Sequence, residues 1–185
     1  MKHSGKRILL ALIFLLVAAQ VLMASTTVSD TDKYSWGPNI GWLNWQGDKT
    51  HGVEFNNSDF LSGYIWSANC GWINLGDGSP ANGTAYANDS ADDFGVNISG
   101  EDGGFYYLSG YAWSPNLGWL NVDADLDFGV RFGAPVRPVI VKSSGILQGY
   151  IWSANAGWLP LKSDTVSAVD LSGQPIPVVT GWMLH

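Results

Sequence analysis

Beyond its first 24 residues the chain lacks most of the side chains that familiar catalytic and metal-binding motifs are built from. It has one cysteine, Cys70, and three histidines, of which only His51 and His185 follow the N-terminal segment. A single cysteine excludes an internal disulfide framework, and one Cys with two His gives no zinc spacing. No Gly-x-Ser-x-Gly elbow and no phosphate-cradling glycine loop before a helix occurs. Two Asp-Phe-Gly triplets, at Asp93 and Asp127, stand without the other kinase signatures. Glu54 and Glu101 are the only glutamates, and neither sits in the setting of a glycosidase carboxylate pair. The chain is therefore read as non-catalytic, with a secreted hydrolase as the least favoured alternative.

Basic residues are scarce as well. Lys2, Lys6 and Arg7 precede an apolar run, Ile8 to Ala24, that has the form of a secretory signal peptide over residues 1–24. Retention of the same run as an N-terminal anchor is the alternative, and no Cys follows it to carry a lipid. The remaining 161 residues carry six basic and sixteen acidic side chains, a formal balance of −10. Such a surface disfavours nucleic acid and anionic lipid as partners. The expected location is secreted, periplasmic or cell-surface, with no membrane contact once the signal is removed.

What the chain does have is tryptophan, ten residues of it, in a recurring frame. Leu61 to Leu75 reads Leu-Ser-Gly-Tyr-Ile-Trp-Ser-Ala-Asn-Cys-Gly-Trp-Ile-Asn-Leu. Copies run from Leu108 to Val122 and from Leu147 to Leu161, and a shorter one from Tyr34 to Trp45. A degenerate fifth copy, with Gly173 and Gly181-Trp182, has the character of a cap. Upstream of the frame lies a Gly-Val element, at Gly52-Val53, Gly95-Val96 and Gly129-Val130.

Period-two alternation, aromatic and β-branched residues, and Gly, Asn and Pro punctuation make these segments strands, joined across Ser-x-Asn-x-Gly turns. The expected fold is all-β: three-stranded meander repeats in a stacked or sandwich-like array, with a small propeller as alternative. The expected boundaries are a polar leader over 25–33 and one domain over 34–185. Within it, copies fall near 33–45, 52–75, 93–122 and 127–161, with the cap at 168–185.

Alternation puts Tyr64 and Trp66 on one strand face and Ile65 on the other, so both faces are apolar. A buried indole gains roughly 4–6 kcal/mol as an upper estimate, so the eight frame indoles are expected inside. These are Trp36, Trp42, Trp66, Trp72, Trp113, Trp119, Trp152 and Trp158. Cys70 takes a slot that holds Ile40, Leu117 and Ala156 elsewhere, an apolar packing position. Ligand-stacking aromatics are then sought outside the frame, at Trp45, Tyr86 and Tyr106. No cofactor is expected. The one metal candidate is Asp123, Asp125 and Asp127, alternate carboxylates suited to Ca²⁺ but with no closing glutamate.

The Gly-Tyr-x-Trp-Ser-x-Asn-x-Gly-Trp-(Ile/Leu)-Asn frame resembles tandem repeats of secreted and surface-associated bacterial proteins. That resemblance covers Tyr34 to about Leu161 and implies export and modularity; it carries no catalytic residues. The expected role is a structural or adhesive module of the cell surface, matrix or periplasm, with surface polysaccharide or other surface proteins as partners. A glycan-binding module using exposed aromatics is the alternative.

Overall fold

The computed structural model describes residues 26–47, 50–122, 130–131, 134–135, 137–163 and 167–168. The expected signal peptide, the Asp123/Asp125/Asp127 group and nearly all of the 168–185 cap lie outside them. All regular structure among the described residues is β. The strands are β1 Tyr34–Gly37, β2 Gly41–Asn44, β3 Glu54–Asn56, β4 Phe60–Ser62, β5 Tyr64–Ser67, β6 Gly71–Asn74, β7 Val96–Asp102, β8 Phe105–Ser114 and β9 Gly118–Asn121. They continue as β10 Val130–Arg131, β11 Ala134–Pro135, β12 Val139–Val141, β13 Leu147–Gln148, β14 Tyr150–Ser153, β15 Gly157–Pro160, β16 Lys162–Ser163 and β17 Ser167–Ala168.

Four hairpins share one register. Tyr34 pairs with Asn44, Tyr64 with Asn74, Tyr111 with Asn121 and Tyr150 with Pro160, and in each hairpin the two tryptophans face each other across the strands. Each turn has three residues and closes on a glycine at φ between 70° and 75°: Gly41, Gly71, Gly118 and Gly157. A left-handed residue after a three-residue loop is what such hairpins need, and glycine supplies it without strain.

The hairpins join edge to edge by an identical step. Asn44 pairs with Trp66, Asn74 with Trp113 and Asn121 with Trp152. Each seam is thus displaced by two residues from the tryptophan pairing within a hairpin, and this constant stagger curls the sheet. It brings β15 back beside β1. The all-β expectation holds, and the hairpins are arranged as a nearly closed eight-stranded barrel in place of a linear stack or separate blades.

A ring of side-chain hydrogen bonds marks the closure. Asn69 Nδ2 donates to the Ile40 carbonyl at 3.1 Å, Asn116 to Cys70 at 3.1 Å and Asn155 to Leu117 at 3.0 Å. Asn39 completes the circle by donating to the Ala156 carbonyl at 2.7 Å. The turn asparagine of every hairpin therefore clips the turn of its neighbour, first to fourth included. Each of these carbonyls would otherwise be an acceptor at a tight turn, and satisfying it holds adjacent units in step.

The interior is aliphatic. Inward pairs are Ser35–Leu43, Ile65–Ile73, Ala112–Leu120 and Ile151–Leu159, all buried. Ile40, Cys70, Leu117 and Ala156 plug the turn end, as the apolar slot required. Burial pushes the Cys70 thiol pKa up, with a partly offsetting hydrogen bond from Ser67.

At the opposite end a smaller sheet continues the long strands, in the order β3, β4, β7, β8, β12, β13. Three chains pass from it into the barrel through Gly63, Gly110 and Gly149, at φ 91°, 98° and 91°. A Cβ on any of them would stand 2.0–2.3 Å from the carbonyl oxygen of Gly52, Gly95 or Arg137. Those contacts identify the strand equivalent in the fourth unit as the segment at Arg137 to Val141. Of the Gly129-Val130 element expected in that role, Val130 pairs instead, through β10, with Pro135 of β11, and Gly129 lies outside the described residues.

The leader is also more ordered than its polarity implied. Thr27 N donates to the Val53 carbonyl, Phe55 N donates to Thr27 Oγ1, and Val28 is buried. Residues 26–28 thereby cover the β3 side of the small sheet. Among the described residues no helix is long and apolar enough to cross a membrane.

Candidate functional site: an aromatic outer wall

The barrel turns its aromatic face outward. Trp36, Trp42, Trp66, Trp72, Trp113, Trp119 and Trp152 are between 37% and 48% exposed, and Trp158 is half-buried. This corrects the expectation that the eight frame indoles form the core. The reason is size: an eight-stranded barrel encloses just enough space for medium side chains, which Ile, Leu, Ala and Ser fill. The burial argument also overstated the cost of leaving indoles outside, because each is already more than half shielded by its neighbours.

That shielding has a regular geometry. Tyr34–Trp42, Tyr64–Trp72, Tyr111–Trp119 and Tyr150–Trp158 stand edge to face with centroids 6.1–6.3 Å apart. Across the strands Trp66–Trp72 and Trp152–Trp158 lie 4.8 and 5.0 Å apart at tilted angles. Cross-strand aromatic pairs of this kind stabilise a sheet by ~0.2–1 kcal/mol each. Each of the seven exposed tryptophans keeps more than a third of its surface free, and the seven are spread over the four hairpins around the barrel.

Two of the three aromatics sought outside the frame go the other way. Trp45 is 2% exposed, and its indole N–H donates to Ser35 Oγ at 2.9 Å inside the barrel. Its slot holds Leu75, Val122 and Leu161 in the other hairpins, while Ser35 stands where they have Ile65, Ala112 and Ile151. A larger residue at the end of one hairpin is thus matched by a smaller one beside it. Trp45 is a core residue and no ligand platform.

Tyr86 is 3% exposed and anchors the long loop between β6 and β7. Its hydroxyl accepts from Gly78 N at 2.8 Å, its ring meets Phe60 edge-on at 5.3 Å, and its backbone is bracketed by the Asn97 side chain. Burial pushes its pKa up to about 12; the Gly78 hydrogen bond works against this, and the Asp77 and Asp93 carboxylates add to it. It too is unavailable for ligand stacking.

Tyr106 is half-buried and reachable. It lines a cleft of about 320 Å³ with Phe55, Ile140 and Lys142, whose ammonium lies 4.9 Å from the Tyr106 ring centre. The cleft lies on the small sheet, away from the indole wall.

Among the described residues no group of three or more His, Cys, Asp and Glu side chains is placed to hold a metal ion. His51 is exposed beside Thr50, with Oγ1 and Nδ1 2.8 Å apart.

Sequence reasoning missed the four frame tyrosines as part of the wall, and Phe94, which meets Trp119 edge-on at 5.0 Å. Strand alternation had already sorted the four tyrosines onto the face opposite the aliphatic residues, whereas Phe94 lies in the loop before β7. The signal was present but assigned to the wrong side. Comparison with protein families, curated proteins and solved structures found no match.

Proposed function

We propose that the chain is an exported, non-catalytic adhesive module that binds glycans through its outer wall of indole and phenol rings. The observation that carries this reading is the outward, half-exposed placement of the frame tryptophans in four equivalent hairpins. An indole face has a negative quadrupole lobe, and the C–H face of a sugar ring is its electropositive complement. Each hairpin offers such faces on a rigid strand pair, so little ordering entropy is lost on binding.

Four weak sites on one rigid body suit a repeating polymer. Once one unit is held, the next is presented at high effective concentration, and avidity rises without new contacts. A membrane is a poorer partner for the same rings. The hairpin pairing within the barrel covers four residues of each strand, ~13 Å, against the ~9–11 residues a spanning strand needs. The acidic balance repels anionic headgroups.

The test is titration of the purified protein with a panel of neutral and charged polysaccharides, followed by tryptophan emission and by affinity electrophoresis. Binding should shift the emission. Removing one hairpin's pair, as in Trp36→Ala with Trp42→Ala, should weaken polymer binding several-fold while short oligosaccharides still bind the other hairpins. A flat response across the panel would reject the glycan reading.

A further inference from the structure

The third hairpin differs from a plain wall because the loop between β6 and β7 stands beside it. Phe94, Trp119 and Tyr111 have steeply crossed planes, 88° between the first two and 72° between the last two. With Asn88, Asp89, Ser90 and Ala91 they bound a cleft of about 460 Å³, within the ~300–1,000 Å³ range of small-ligand sites.

The loop is held in place before any ligand arrives. Asn88 takes φ 57°, its N–H donates to the Asp93 carbonyl, and its Oδ1 accepts from Gly95 N at 3.0 Å. The Asp93 carboxylate in turn accepts from Ala87 N at 3.1 Å. Asn88 and Asp93 are thus engaged in shaping the loop, which leaves Asp89 and Ser90 exposed at the rim.

Two features select the occupant. A flat sugar ring is served by one broad ring face, whereas crossed planes make a corner that fits a compact, rounded group. Aromatic rings that bound a cleft attract a cation, and the Asp89 carboxylate at the rim supplies a partner of opposite charge. The −10 balance of residues 25–185 adds a long-range field of the same sense.

We propose that this cleft binds an organic ammonium group, carried either by a trimethylammonium compound or by the free amine of an amino sugar. The ammonium sits against Trp119, Tyr111 and Phe94, with Asp89 as counter-charge. The site goes beyond the glycan reading and does not need it, since a small ammonium ligand uses one hairpin only.

The experiment titrates the full chain with choline and with its uncharged isostere 3,3-dimethylbutan-1-ol, and in parallel with glucosamine oligomers and their N-acetylated counterparts. Tryptophan emission and ligand-observed NMR report binding. At least one cation should bind better than its neutral counterpart, and salt should weaken it. The preference should fall about three- to fivefold in Phe94→Ala. It should also fall in Asp89→Asn, an exposed change that leaves the fold intact.

Equal binding of charged and neutral partners, no binding of either cation, or a preference that survives both Asp89→Asn and Phe94→Ala would overturn the proposal. Neutral polysaccharide binding that persists under any of those results would leave the glycan reading standing. Its loss with ammonium binding retained would remove that reading alone.

Discussion

Replacing Trp45 by the residue its counterparts carry tests the packing logic of the barrel directly. Trp45→Leu removes roughly 60–80 Å² of buried apolar surface and opens a cavity beside Ser35, a cost of about 2–4 kcal/mol. It also leaves the Ser35 hydroxyl without the indole N–H that donates to it at 2.9 Å, about 1 kcal/mol more. The reverse single change, Ser35→Ile, overfills the same space and strips the indole of its acceptor, again about 2–4 kcal/mol. The double variant reproduces the Ile65/Leu75 pair of the second hairpin and the Ile151/Leu161 pair of the fourth, all buried. It should therefore regain most of the loss, with a coupling energy on the order of 3 kcal/mol. Urea unfolding followed by far-ultraviolet circular dichroism gives all four stabilities without relying on the altered chromophore. Additive losses, with the double variant as damaged as the sum of the singles, would refute the claim that the four hairpins share one interchangeable interior.

Two further outcomes follow from the same geometry. Gly63→Ala should be destabilised by about 3 kcal/mol or more, because φ is 91° and the new Cβ would meet the Gly52 carbonyl; thermal unfolding measures it, and a neutral result would deny the close approach. Tyr86 ionises in the unfolded chain near its ordinary value but only at about 12 when folded. Its contribution is therefore full below pH ~10 and lost between there and pH ~12, on the order of 2 kcal/mol. Subtracting the stability–pH curve of Tyr86→Phe from that of the native protein should isolate this loss, and parallel curves would contradict it.

Much of the fold was legible because the frame repeats. Strand type and the Ser-x-Asn-x-Gly turns follow from residues that recur at fixed offsets. The apolar slot shared by Ile40, Cys70, Leu117 and Ala156 was also readable, since burial there depends only on which residues substitute for one another. Which face of the sheet turns inward was not. Alternation separates Tyr64 and Trp66 from Ile65 but carries no sign, and hydrophobic transfer alone favours burying the larger rings. The sign is set by closure of the sheet, and closure depends on the two-residue seam between hairpins and on Asn39 reaching Ala156, 117 residues away. The same blindness put Trp45 and Tyr86 at the surface. Each looked exceptional because it stood outside the frame, whereas each fills a hole particular to its own surroundings.

Limited oxidation of the folded protein with N-bromosuccinimide, mapped tryptophan by tryptophan by peptide mass spectrometry, tests the inside-out arrangement most directly. Trp36, Trp42, Trp66, Trp72, Trp113, Trp119 and Trp152 should react in the native state, and Trp45 only after unfolding in urea. Native protection of those seven indoles, or oxidation of Trp45 alongside them, would contradict an aliphatic barrel that displays its tryptophans to solvent.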